Sequence, residues 1–127
     1  MTDGPMVKTS QDYPLPETMK AWVLGNPGEM ILTEKPVPSP ARAEVLVRID
    51  AIAICATDLE ILDHGVPAMV EGGLPFNKNF TFGHEYMGTV VALGPGVDEF
   101  DIGDRITVEI HAGCGQCKRC RQGMYTS

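Results

Sequence analysis

Three of the four cysteines lie within seven residues of one another, at a spacing that suits a metal ion. The sequence there is Cys114-Gly-Gln-Cys117-Lys-Arg-Cys120. A Cys-x-x-Cys spacing lets two thiolates bind one tetrahedral ion, and its repetition supplies three ligands. Three neighbouring cysteines cannot all pair with one another, so the cluster favours zinc over disulfides. A redox-active pair and an iron–sulfur cluster are the alternatives, and His111 could substitute as a ligand.

A second set of metal-binding residue types is divided between two segments. Cys55 is followed closely by Thr57 and Asp58, and His84 directly precedes Glu85. Cysteine and histidine together suit a second zinc ion, with Asp58 as the acceptor for the His84 ring N–H. Taken singly, Cys55 is more often a small buried apolar residue, and His84 is more often a structural histidine. The residue types alone therefore leave this second site open.

Alternating apolar residues and β-rich runs predict the strands that must position these side chains. The clearest run is 44–54, which ends just before Cys55, and the run 85–93 begins directly after His84. A capping residue followed by apolar residues three apart predicts a short helix over 57–62. The remaining predicted strands are 19–24, 30–33 and 104–110.

The content of turn-forming residues favours a small, curled β-barrel. The chain has 14 Gly and 10 Pro, and it shows several short strand patterns but one helical pattern. That combination is typical of small barrels. Residues 1–18 contain three prolines and no periodic pattern. We expect them to form a flexible N-terminal arm, pinned near Tyr13 and Leu15.

Charge and hydropathy argue against several classes of partner. The 127 residues carry a formal charge of −7, from 10 Lys and Arg against 17 Asp and Glu. This balance disfavours nucleic acid and anionic membrane surfaces as partners. No apolar run reaches the roughly 18 residues of a membrane-spanning helix, and no secretory signal follows Met1. We therefore expect a cytoplasmic protein with one domain.

Five motifs follow one another in a specific order and spacing. They are Cys55-Ala-Thr57-Asp58, Gly83-His84-Glu85-Tyr86-Met87-Gly88-Thr89-Val90, Gly94-Pro95-Gly96-Val97, Phe100-Asp101-Ile102-Gly103-Asp104-Arg105-Ile106 and the triple cysteine. From about Met19 onward, the chain resembles the zinc-dependent medium-chain alcohol dehydrogenases. The resemblance implies a mainly β fold, the GroES-like catalytic domain. This domain is a partly open β-barrel with one short helix and a cysteine-rich zinc loop.

The resemblance also implies roles for the residues of the second set. Cys55 and His84 would be ligands of a catalytic zinc, with Glu85 as an alternative carboxylate ligand. Thr57 would pass the alcohol proton outward, and Asp58 would orient His84.

Two further implications concern a substitution and the second metal. Glu60 stands where many members carry a histidine that ends the proton relay. Glu60 could accept a proton there, or it could be a solvated helix residue. Cys114, Cys117 and Cys120 would be three of four ligands of a structural zinc, with the fourth immediately beyond Ser127.

The implied reaction is hydride transfer from a zinc-bound alkoxide of a small alcohol or polyol to NAD or NADP. No Gly-x-Gly-x-x-Gly occurs, because Gly94-Pro-Gly96 continues as Val-Asp-Glu. The Rossmann domain is therefore expected to be absent. On this interpretation residues 19–127 are a catalytic domain truncated within the structural-zinc loop and inactive alone, whereas the full-length enzyme is a homo-oligomer. The alternative is a stand-alone zinc-binding or interaction module without catalysis.

Overall fold

One central strand organises the larger of two β-sheets. The computed structural model describes residues 6–66 and 75–125. The central strand, β5 (Glu85–Leu93), pairs along one edge with the antiparallel β4 (Val45–Ala53). Its other edge is shared by β6 (Arg105–Thr107) and β1 (Lys8–Thr9), both antiparallel to it. The core lies around this strand, because Gly88 to Leu93 are all buried.

Strands β4 and β5 approach each other closely at a β-bulge, and β5 has a glycine at that point. The register between the strands shifts at Ile49 to Ala51, which leaves Asp50 as the extra residue of a β-bulge. Opposite the bulge, a Cβ on Gly88 would lie 2.3 Å from the carbonyl oxygen of Arg48. Glycine at position 88 is therefore required for this close approach of the two strands.

Hydrogen bonds join three polar side chains at the bulge. The carboxylate of Asp50 accepts hydrogen bonds from the Thr89 hydroxyl (2.7 Å) and from Nε of Arg48 (3.0 Å). The Thr89 hydrogen bond, followed by that of Arg48, lowers the pKa of Asp50. The hydroxyl of the buried Thr89 therefore donates its hydrogen bond to a charged carboxylate.

The second sheet is a hairpin of β2 (Thr18–Leu24) and β3 (Met30–Pro36). Gly28 has a φ of +78°, which glycine adopts without strain, in the turn between the strands. The backbone N–H of Gly28 donates to the Leu62 carbonyl (2.7 Å), and that of Leu24 donates to the Phe80 carbonyl (3.1 Å). No strand pairing joins the two sheets in the described residues, so the barrel is partly open. The expected mainly β fold is confirmed.

Several element boundaries differ from the sequence predictions. The strand predicted over 104–110 ends at Thr107, because the chain then leaves β5 for the cysteine cluster. The helix α1 (Ala56–His64) has Cys55 as its N-cap, not Thr57. A second helix, α2 (Lys118–Arg121), is one turn long and had no periodic signal. No helix among the described residues is both long and apolar enough to cross a bilayer.

Part of the N-terminal segment, for which the composition predicts a flexible arm pinned near Tyr13 and Leu15, is paired with the larger sheet. Residues 8 and 9 form β1, with Lys8 opposite Leu93 and Thr9 opposite Ala92. The guanidinium of Arg48 lies 5.9 Å from the centre of the Tyr13 ring. The strand pairing and this contact join residues 8, 9 and 13 to the sheet. The domain boundary after residue 18 stays a prediction.

Candidate metal centres

The ends of two paired strands bring Cys55 and His84 together. Ala53, the last residue of β4, is opposite Glu85, the first residue of β5. Residues just beyond these two positions must meet at the same end of the sheet, because the strands are antiparallel. There Sγ of Cys55 lies 3.0 Å from Nε2 of His84, although the two residues are 29 positions apart. The topology therefore places a thiol and an imidazole nitrogen face to face.

Asp58 connects the two residues from the first turn of α1. One carboxylate oxygen, Oδ2, accepts a hydrogen bond from the backbone N–H of Cys55 at 3.0 Å. The other, Oδ1, is buried without a hydrogen-bond partner among the described residues and lies 3.5 Å from Nδ1 of His84. A carboxylate there favours a proton on Nδ1 and leaves the lone pair of Nε2 directed towards the Cys55 sulfur.

The donor set of this cluster fits a zinc ion. Ligand atoms of Cys55, Asp58 and His84 all lie within 4.8 Å of one another. A thiol and an imidazole nitrogen are donor types that zinc prefers, whereas Asp58 faces the other ring nitrogen, as a residue that orients a ligand does. Glu85 is the nearest additional carboxylate, with Oε1 at 4.0 Å from Nε2 of His84. These contacts also explain the buried Oδ1 of Asp58, because a metal-bound His84 would have to donate from Nδ1.

The two other residues assigned to the site, Thr57 and Glu60, are exposed on α1. They are three positions apart and so are neighbours on the helix surface. Neither belongs to the cluster of possible ligands. Their roles in proton transfer stay predictions.

The triple cysteine forms a second compact cluster. The sulfurs of Cys114, Cys117 and Cys120 all lie within 4.8 Å of one another, and those of Cys114 and Cys120 are 3.8 Å apart. Cys117 is the N-cap of α2, and its Sγ accepts from the backbone N–H of Cys120 at 3.5 Å. Three converging sulfurs from one short loop are typical of a structural zinc site.

Backbone donors favour the thiolate form within this cluster. Hydrogen bonds from the backbone N–H groups of Gln116 and Cys117 lower the pKa of Cys114 to about 7. A thiolate is the form that binds a metal, so this loop is suited to bind one near neutral pH.

His111 has a different partner from the one considered in the sequence. Its backbone N–H and Nδ1 both lie 3.0 Å from Oε1 of Glu109. The backbone hydrogen bond, followed by the ring contact, lowers the pKa of Glu109. His111 is not part of the three-sulfur cluster. Glu109 and His111 are two positions apart, a spacing that places both side chains on the same side of an extended chain. This spacing is the sequence signal for the pair.

Two open grooves border the Cys55–His84 cluster. The first, here called the Glu109 groove, has a volume of about 640 Å³ and is lined by Glu85, Glu109 and His111 together with apolar residues of β4 and β5. The second has a volume of about 340 Å³ and a largely apolar lining that includes Trp22, Ile54, Leu59 and Phe82. Glu85, whose Oε1 lies 4.0 Å from Nε2 of His84, lines the Glu109 groove, and Asp58 lines the second groove.

Comparison with known proteins decides the family. The sequence model of the alcohol dehydrogenase GroES-like domain family matches residues 41–127. The chain belongs to this family. This GroES-like domain is 37% identical over 113 residues to a sorbitol dehydrogenase of Bacillus subtilis, covering 89% of the chain and 31% of that protein. It is also 43% identical over 94 residues to an L-threonine 3-dehydrogenase of Stenotrophomonas maltophilia, covering 72% of the chain and 26% of the relative.

A solved structure gives the same family assignment. The GroES-like domain matches the acetophenone reductase of Geotrichum candidum, determined in complex with NAD, with a TM-score of 0.67 and 34% identity. The match covers 86% of this chain and 30% of the reductase. The family and the fold that the motifs implied are therefore confirmed. The chain spans less than a third of the length of the curated relatives it matches.

Proposed function

We propose that this GroES-like domain is the catalytic domain of a zinc-dependent alcohol or polyol dehydrogenase that uses NAD or NADP. The observation that carries the proposal is the cluster at the end of β4 and β5. There a thiol and an imidazole nitrogen face each other at 3.0 Å, with the buried carboxylate of Asp58 behind the imidazole. Identity to a sorbitol dehydrogenase over most of the chain supports the same activity.

The catalytic zinc would be held by Cys55 and His84, with Glu85 in reach as an alternative ligand. When bound, zinc supplies Lewis-acid polarisation, which lowers the pKa of an alcohol hydroxyl enough for a proton to leave near neutral pH. Asp58 contributes by keeping the His84 ring in one orientation and one tautomer. The N-cap position of Cys55 fixes the sulfur relative to the first turn of α1.

The proton released from the alcohol has a route along the surface of α1. We assign the first transfer to the Thr57 hydroxyl, which can accept one proton while it gives up another. Glu60 is the next acceptor on the same helix surface and is in contact with water. Its carboxylate takes the place of a terminal imidazole in the relay.

The substrate side of the proposal rests on the Glu109 groove. Its two carboxylates accept hydrogen bonds, and Nε2 of His111 can accept one because Nδ1 faces Glu109. An alcohol with additional hydroxyl groups satisfies such a lining better than a simple aliphatic alcohol does. Hydride from the alcohol carbon would pass to NAD or NADP, which a part of the protein outside this domain would hold.

The second metal has a structural role in this proposal. Cys114, Cys117 and Cys120 supply three thiolates for a structural zinc and require one further ligand. Reduced cysteines are needed for both metal sites, and none of the four is in a disulfide. A reducing compartment such as the cytoplasm therefore suits the protein, and we propose a homo-oligomer for the full-length enzyme.

The test is turnover by the protein that carries this domain, measured as reduction of NAD or NADP with a panel of polyols and simple alcohols. We expect polyol-dependent turnover that a zinc chelator abolishes and added zinc restores. His84→Ala should remove activity, whereas His64→Ala, at the exposed end of α1, should retain it. Zinc binding without turnover on any alcohol would overturn the proposal in favour of a zinc-binding module without catalysis.

A further inference from the structure

The glycine before the cysteine cluster has two close neighbours on the same side. A Cβ on Gly113 would lie 2.6 Å from Cδ1 of the Tyr125 ring and 2.7 Å from Sγ of Cys120. Real Cβ atoms do not come this close to other heavy atoms, so the ring and the sulfur occupy the space that a side chain would need. Residue 113 must therefore be glycine for Tyr125 and Cys120 to hold these positions together.

The end of α2 explains how Tyr125 reaches Gly113. The backbone N–H of Gly123 donates to the Cys120 carbonyl (3.0 Å), and that of Met124 donates to the Arg119 carbonyl (2.9 Å). Gly123 has a φ of +75°, the left-handed conformation that ends a helix and reverses the chain. The reversal returns the next residue, Tyr125, to the start of the loop.

We propose that the Tyr125 ring, packed on Gly113, closes the loop of residues 113–125 and is a positioning residue for the metal at Cys114, Cys117 and Cys120. The inference rests on the proposed structural zinc. It adds that the three sulfurs converge before a metal binds, because an apolar contact already joins the two ends of the loop. Because the loop is already ordered, less conformational entropy is lost when the metal binds.

The geometry indicates which thiolate benefits. The sulfur of Cys120 lies against Gly113, and Cys120 is less exposed than Cys114 and Cys117. Without the ring, the side chain of Cys120 gains space on that side and can adopt other rotamers. Without glycine at 113, the sulfur and the ring must both move. Both changes should weaken the same site.

The test measures metal binding by the protein that carries this domain, with zinc competition and with the thiolate charge-transfer absorbance of bound cobalt. Tyr125→Ala and Gly113→Ala should each weaken metal binding at the triple cysteine by about 10- to 100-fold, as loss of a residue that orients a ligand does. Tyr125→Phe keeps the ring and should bind as the wild type does. Met124→Ala, at an equally exposed neighbouring position, is the matched control and should change affinity by less than about twofold.

The outcomes separate this inference from the proposal on which it rests. Metal binding at the Cys55–His84 cluster should be unchanged in all four variants, which reports that they are folded. If Tyr125→Ala binds metal at the triple cysteine as tightly as the wild type, the inference is wrong and the zinc site stands. If Cys114→Ser has the same zinc content as the wild type, the zinc site itself is wrong and the inference fails with it.

Discussion

Asp58 and Cys55 are joined across the first turn of α1, where Oδ2 of Asp58 accepts from the backbone N–H of Cys55 at 3.0 Å. The same carboxylate presents its other oxygen to His84 at 3.5 Å. The buried carboxylate of Asp58 therefore positions Cys55 through its backbone N–H and His84 through its imidazole ring. Neither Cys55 nor His84 would be fixed relative to the other by strand pairing alone.

Loss of this carboxylate should weaken the metal site. Asp58→Ala removes the acceptor for the Cys55 N–H and the group that orients His84, so we expect zinc affinity at this cluster to fall by about 10- to 100-fold. Asp58→Asn keeps an oxygen for the N–H and should have a smaller effect. Competition with a chromogenic chelator measures the affinity. Asp63→Ala, on the exposed side of α1, is the control, and an equal loss in both variants would contradict the orienting role.

A methyl group at position 88 should disrupt the sheet. In Gly88→Ala the new Cβ meets the Arg48 carbonyl oxygen at 2.3 Å and Cγ1 of Val47 at 2.5 Å. Because the backbone of β4 must move, we expect a loss of about 1–3 kcal/mol in the free energy of unfolding, measured in urea. The comparison variant is Gly115→Ala, where φ is +72° but nothing lies within 4 Å. Any loss in Gly115→Ala therefore comes from backbone conformation alone, whereas Gly88 does not have a positive φ. Unchanged stability of Gly88→Ala would contradict the close approach.

The elements that position the first cluster could be predicted from the sequence, because 44–54 alternates and 85–93 is rich in β-forming residues. The predicted strand 85–93 has the observed bounds, and the strand predicted over 44–54 is observed as Val45–Ala53. Both strands pair with each other from end to end, and Gly88 to Leu93 of β5 are buried. The run 104–110 alternates equally well but ends as a strand at Thr107. Alternation indicates extended backbone and carries no information on whether a partner strand is present.

The contacts between distant segments could not be predicted from the residues themselves. The residue types alone leave Cys55 and His84 open as ligands, since each alone is typical of a buried or structural residue. The motif resemblance implies that they are ligands, and the register of β4 and β5 explains how they meet. Cys55 rather than Thr57 caps α1, because the chain turns immediately after β4 and Asp58 is then in position to receive the Cys55 N–H. The contact between Gly113 and Tyr125 has no sequence signal, since it depends on a chain reversal after a one-turn helix.

Relief of backbone strain should stabilise the domain. Among the described residues, Ala43 is the only residue other than glycine with a positive φ, at 63°. Left-handed backbone costs a residue with a Cβ about 1–2 kcal/mol. Glycine in the unfolded chain has more freedom to lose, which offsets about 0.4–1 kcal/mol of the gain. Ala43→Gly should therefore raise the free energy of unfolding by about 0.5–1 kcal/mol.

The control for Ala43→Gly is Ala41→Gly, two residues earlier, where φ is not positive. There the substitution only adds freedom to the unfolded chain, so it should lower stability. Chemical denaturation of both variants decides the matter. A gain in the Ala41 variant, or a loss in the Ala43 variant, would be inconsistent with strain at position 43.

The Asp50 carboxylate should make stability depend on pH in the acid range. Hydrogen bonds from Thr89 and Arg48 lower its folded-state pKa below the ordinary value of 3.8. The contribution is complete when the pH is well above 3.8, and it is lost as the pH falls through the folded-state pKa. Asp50→Asn should therefore lower the melting temperature at pH 7 and have a smaller effect at pH 3. Asp98→Asn, in an exposed turn, is the control, and an equal effect of Asp50→Asn at both pH values would refute this account.

The position of β5 in the chain has a consequence for synthesis. The β2–β3 hairpin joins neighbouring segments and can pair as soon as it leaves the ribosome, whereas β1 and β4 pair only with β5 among the described strands. The ribosome makes the chain from its N-terminus, so β1 and β4 stay unpaired until β5, which ends at residue 93, has been made. During that interval Cys55 has no His84 beside it. A nascent chain therefore carries the Cys55 thiol without its partner, and the pairing of β4 with β5 brings Cys55 and His84 together only after β5 has been made.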